Sequence, residues 1–184
     1  MPVRSNESGF VISGDPYLDV ERQKTVFDTV LTSEGILAVQ LHVRNTGDRR
    51  VIVQGSDMVL EFPDGVRLTA SGGGAVATKI SHDIGGVAGP ALAFGLIGAL
   101  TATHGQNKAR AARTADYTKK ELPPAILGGG QASEGFVYFI GPENAAYARA
   151  TLNVHVVDAD TGASRIVRLP LGSTDPPHQQ PKRP

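Results

Sequence analysis

Cysteine is absent from this 184-residue chain, and its absence excludes disulfides, thiolate metal sites, cysteine nucleophiles and a lipid-bearing cysteine within the sequence. Net charge is absent as well. Lys plus Arg and Asp plus Glu each number 18, so no global field draws nucleic acid toward the protein. The opening residues, MPVRSNESGF, have neither the basic start nor the apolar core of a secretory signal.

Catalytic signatures are lacking too. Gly72 to Lys79 (GGGAVATK) misses the spacing that sets Gly-Lys-Ser/Thr at a helix start, and it reads as a flexible linker rather than a phosphate loop. Asp158 to Gly162 (DADTG) begins like a calcium loop, but Ala163, Ser164 and Arg165 follow where a closing carboxylate is needed, so a hairpin turn is expected. His42, His82, His104, His155 and His178 show no recognised ligand spacing. Neither a nucleophile elbow nor a dinucleotide fingerprint is found. An enzyme, a metal site and a cofactor are therefore not expected.

What is present is period-two alternation. Leu37, Val39, Leu41 and Val43 fall on one face of Ile36 to Asn45, with Gln40, His42 and Arg44 on the other, as in a half-buried strand. Asn45 to Asp48 supplies turn chemistry, and β-branched residues resume at Val51. Further strands are predicted around Met58 to Phe62, after the Pro63-Asp64-Gly65 turn, over Gly135 to Gly141 with burial on both sides, over Leu152 to Val156 and over Ile166 to Leu171. Tyr17 to Leu31 is less regular and reads as one or two edge strands. About seven strands at this spacing point to an immunoglobulin-like antiparallel β-sandwich. Neither flank has the apolar surface to close a sandwich alone, so one domain over residues 10–171 is expected, with residues 72–133 inserted.

The insertion contains Ile84 to Thr103, IGGVAGPALAFGLIGALTAT, which carries no charge. Pro90 suits the first turn of a helix over Pro90 to Thr103; Gly105 can end it; Asn107 can cap a second helix over Lys108 to Leu122, stopped by Pro123 and Pro124. An α-helical hairpin results. Ala91, Gly95, Gly98 and Ala102 make a stripe of small residues, while Leu92, Leu96 and Leu100 make a bulky one. Such a helix can cover the sheet, span a bilayer, or dip into lipid or pack on a partner's transmembrane helices. In the last reading, contacts fall on Ala91, Leu92, Phe94, Gly95, Leu96, Gly98, Leu100, Ala102, Arg110 and Arg113, the two arginines standing near headgroups.

Gly35 to Asn45 (GILAVQLHVRN), Asp64 to Arg67 (DGVR), the glycine-zipper-like insertion, Leu127 to Gly130 (LGGG) and Gly135 to Phe139 (GFVYF) resemble a group of uncharacterised bacterial envelope proteins, many of them lipoproteins. The resemblance covers most of residues 17–171. It implies a β-sandwich with a small-residue insertion and a role near a membrane, with no assigned activity. The chain departs from the lipoprotein pattern in having no signal sequence and no cysteine.

Residues 172–184 form a tail rich in proline and polar residues, which cannot bury enough apolar surface to offset its own ordering and is expected to order on a partner. The functional expectation is a non-enzymatic accessory or scaffold subunit, docked on a membrane protein complex or a lipid surface and binding no nucleic acid. The alternative is a small-molecule or peptide binding module of the cell envelope. Membrane association on the periplasmic or envelope side is expected, with the cytoplasmic face left open by the missing signal.

Overall fold

The computed structural model describes residues 3–7, 9–84, 110–143 and 145–172. In chain order these hold β1 (Val3–Glu7), β2 (Phe10–Pro16), α1 (Val20–Phe27), β3 (Ile36–Asn45), β4 (Val51–Val53), β5 (Val59–Glu61), β6 (Arg67–Ser71), α2 (Gly73–Ile84), α3 (residues 110–120), β7 (Ala125–Leu127), β8 (Ala132–Ile140), β9 (Thr151–Asp158) and β10 (Ser164–Pro170). The named strands pair antiparallel in two layers. One runs β1-β2-β3-β8-β6; the other continues β6-β5-β9-β4-β7, with β10 on β9. The β4 and β5 strands pair with different halves of β9, at Val156 to Asp158 and at Thr151 to Asn153. The β6 strand joins the layers, pairing with β5 through Arg67 to Thr69 and with β8 through Ala70 and Ser71.

Alternation explains the inter-sheet core. Leu37, Val39, Leu41 and Val43 of β3 meet Leu152, Val154 and Val156 of β9 and Val167 and Leu169 of β10 in one buried cluster. Strands before and after the insertion thus share a core. Each fully buried large aliphatic contributes about 1.5 to 3 kcal/mol. From Phe136 to Phe139 the β8 strand is buried on both faces as its composition predicts: Val137 and Phe139 enter this core, whereas Phe136 and Tyr138 point to a second cluster on the outer side of the first sheet.

The second cluster corrects two expectations. Tyr17 to Leu31 holds not edge strands but the end of a loop, α1 and the start of a 3-10 turn over Leu31–Glu34. Asp19 caps α1 by accepting from the Arg22 backbone N–H at 2.9 Å, and Asp28 ends it in the left-handed conformation at φ 56°. Gln23 and Phe27, one turn apart, face inward. The GGG segment is likewise not a linker. Gly72 accepts from Ala75 at 2.9 Å to open α2, whose Val76, Ala77 and Ile80 join the cluster. Three strands, β1, β2 and β7, come in addition to the expected seven.

Candidate functional site

The described base of the insertion is an antiparallel pair of helices. The start of α2 lies against the end of α3: a Cβ on Gly73 would fall 2.6 Å from the Thr118 nitrogen. Farther along, the Arg110 guanidinium donates to the Thr78 hydroxyl at 3.3 Å. Glycine at position 73 therefore serves backbone approach, not flexibility. The Glu121 carboxylate completes the joint by accepting from the Gly73 N–H at 2.8 Å, satisfying one orphan donor of the helix start.

The pair is fixed to the sandwich by rings. Phe27 stacks on Tyr117 at 5.8 Å and meets Phe136 edge-on at 5.0 Å, and Tyr117 meets Tyr138 edge-on at 5.9 Å. The polar ends of these residues tie off backbone: the Tyr138 hydroxyl donates to the Tyr117 carbonyl at 3.3 Å, and the Lys120 ammonium donates to the Val26 carbonyl at 2.7 Å. Lys120 thereby closes an open carbonyl at the end of α1. Burial pushes the Tyr117 phenol up to about 12, with the neighbouring Asp116 charge adding to the effect, and it raises Tyr138 further.

Arg110 and Arg113 are both exposed on α3. Arg113 borders a 320 Å³ cleft between the end of α1 and the helix pair, together with Asp28, Ile80 and Asp116. Ala91, Leu92, Phe94, Gly95, Leu96, Gly98, Leu100 and Ala102 lie outside the described residues, as does the whole helix expected over Pro90 to Thr103. The second expected helix is present as α3, but Leu122 has left it. Its N–H donates to the Phe136 carbonyl at 2.8 Å and its side chain enters the inter-sheet core. Sequence reasoning missed α2, although Val76, Ala77 and Ile80 carry helical spacing.

A separate groove of 470 Å³ lies at the turn after β5, lined by Phe62, Pro63, Asp64, Val66, Pro142, Ala145, Ala146 and Arg149. Phe62 packs beside the buried Tyr147, 5.9 Å between ring centroids, and the Tyr147 hydroxyl donates to the Gly35 carbonyl at 2.8 Å. The groove floor is therefore held by the sandwich itself. Among the described residues no group of three or more His, Cys, Asp or Glu side chains is arranged to hold a metal. No helix among them is long and apolar enough to cross a membrane.

No protein family profile matches the sequence, and no curated protein matches it. Among solved structures, the chain is similar to the lipoprotein candidate ycdA of Bacillus subtilis, at 11% identity and TM-score 0.45, covering 91% of this chain and 38% of that one. It is similar to a protein of unknown function from Listeria monocytogenes at 7% identity and TM-score 0.41, covering 92% and 80%. It is also similar to the secreted protein MPT63 of Mycobacterium tuberculosis at 10% identity and TM-score 0.34, covering 84% and 83%. No functional assignment follows from these likenesses.

Proposed function

We propose that this protein is a non-enzymatic accessory or scaffold subunit of the bacterial cell envelope that docks on a membrane-associated assembly through its helical insertion. The observation that carries the reading is the joint between α2 and α3. Thr78 and Arg110 are hydrogen bonded, so the two stems of the insertion stand on the same side of any bilayer. The uncharged Ile84 to Thr103 sequence begins at the end of one stem and closes before the other. A stem fixed by an aromatic cluster suits a protein that presents an apolar segment rather than burying it under its own sheet. The exposed Arg110 and Arg113 suit an anionic headgroup layer beside such a segment. The envelope assignment rests on the sequence resemblance carried by Gly35 to Asn45 and Gly135 to Phe139.

The test is Gly95→Leu, read by membrane cofractionation and by thermal stability of the purified protein. Docking through the small-residue face predicts release from membranes with an unchanged melting temperature. Unchanged cofractionation with a clear loss of stability, typical of an overpacked core at about 1 to 3 kcal/mol, would return the segment to a structural role.

A further inference from the structure

We propose that the groove between the β5 turn and the 142–149 segment binds an extended proline-rich peptide, and that its occupant is this chain's own segment following Gly172. The lining is of the kind that proline-rich strands dock against: one aromatic face from Phe62, flanked by Pro63, Val66, Pro142, Ala145 and Ala146. Val66 is 47% exposed, so its side chain is open to an occupant.

The position where the chain leaves the fold selects the occupant. Leu171 still belongs to the sandwich, its N–H donating to the Ala150 carbonyl at 2.9 Å. A Cβ on Gly172 would lie 2.5 Å from the Ala148 carbonyl oxygen. Ala148 sits between Ala146 and Arg149, both of which line the groove. The chain is therefore released beside the segment that supplies Ala145, Ala146 and Arg149 to the groove. Its sequence from that point is Ser173-Thr-Asp-Pro-Pro177-His-Gln-Gln-Pro181-Lys-Arg183. At about 3.1 Å per residue in a polyproline conformation, nine residues reach about 28 Å, more than a 470 Å³ groove requires.

Both signs of charge find a partner as well. Arg149 and Asp64 both line the groove, one from each of its two chain segments, and neither forms a salt bridge with another described residue. In the segment, Asp175 comes early and Lys182 and Arg183 come late. Proline pre-organises the strand and covalent attachment supplies a high effective concentration, so a site too weak to hold a free peptide is filled in cis. A competing peptide must then displace the segment before it can enter.

The absence of cysteine makes the test direct. Gln180→Cys in the full chain gives a unique attachment point for a nitroxide, and paramagnetic broadening is read on the Val66, Ala145 and Ala146 methyl signals. The expected result is loss of most of their intensity, independent of protein concentration, with recovery when the nitroxide is reduced. Val66→Glu, read on the alanines, and Ala146→Glu, read on Val66, should each restore the signals; both positions are exposed, so the fold is retained. Mixing isotope-labelled chains lacking the nitroxide with unlabelled chains carrying it separates the sources. Broadening that appears in that mixture would mean a second copy occupies the groove, and absence of broadening from both samples would leave it to a separate protein. Either result overturns the proposal, as does broadening that survives both glutamates.

Discussion

The two buried clusters on either side of the first sheet are built differently. Between the sheets the core is mainly aliphatic, drawn from strands as far apart in sequence as β3 and β10. Under the helices it is ring-rich, with Tyr17, Phe27, Tyr117, Phe136 and Tyr138 in mutual contact. Flat strands packed face to face can be filled by branched side chains with no polar atoms. Helices crossing a sheet at their ends expose unpaired backbone groups, and tyrosine and lysine fill space while reaching those groups. The difference separates a part that sets the fold from a part that fastens the insertion to it.

Replacing one ring in each cluster puts that separation at risk. Phe139→Ala in the inter-sheet core should cost about 3 to 5 kcal/mol in urea denaturation, with amide protection falling across both sheets. Phe27→Ala should cost somewhat less and lose protection first in α2 and α3, leaving β9 and β10 protected. A uniform loss in both variants would show one cooperative unit and dissolve the distinction.

Next in size is Gly73→Ala. The added carbon must displace the α3 backbone near Thr118, at a cost of about 1 to 3 kcal/mol, whereas a flexible linker would gain slightly from alanine. A melting temperature at or above that of the parent would restore the linker reading.

The smallest effect is a sharpening by pH. The Tyr117 phenol is raised from 10.0 to about 12, so the folded protein holds this proton more tightly than the unfolded chain. Its contribution is intact below about pH 10 and is lost as pH rises toward about 12. Tyr117→Phe keeps the ring and removes this titration, so its melting temperature should fall less steeply than the parent's over that window. Parallel alkaline profiles would show that Tyr117 does not carry the sensitivity.

Much of the inter-sheet core can be read from alternation alone, because a strand with one wetter face writes its burial into every second residue, as Val39 to Val43 does; at Ala38 and Asn153 the other face is buried as well. The aromatic cluster is less legible. Its members come from α1, α2, α3, β3 and β8, with Tyr17 and Leu31 beside them, and no local period links Phe27 to Tyr117. The α1 helix announces itself only through Asp19 and Glu21 at its start, against a polar sequence. Gly73 shows why composition misleads: glycine marks both loose chain and the closest contacts, and only the neighbour at 2.6 Å distinguishes them. The groove was hidden for a similar reason, since Phe62 and Ala146 are brought together by two turns distant in sequence.

The strand shared by both sheets gives the insertion a mechanical footing. The α2 helix begins two residues after β6 ends, and β6 is stitched to β5 along its first half and to β8 at its end. On the return side, Glu121 bridges to Phe136 before the chain enters β7 in one layer and β8 in the other. A load entering through the helices thus reaches both layers, through the two ladders of β6 on one side and through β7 and β8 on the other. The helices are rooted in the seam of the sandwich rather than in one face of it.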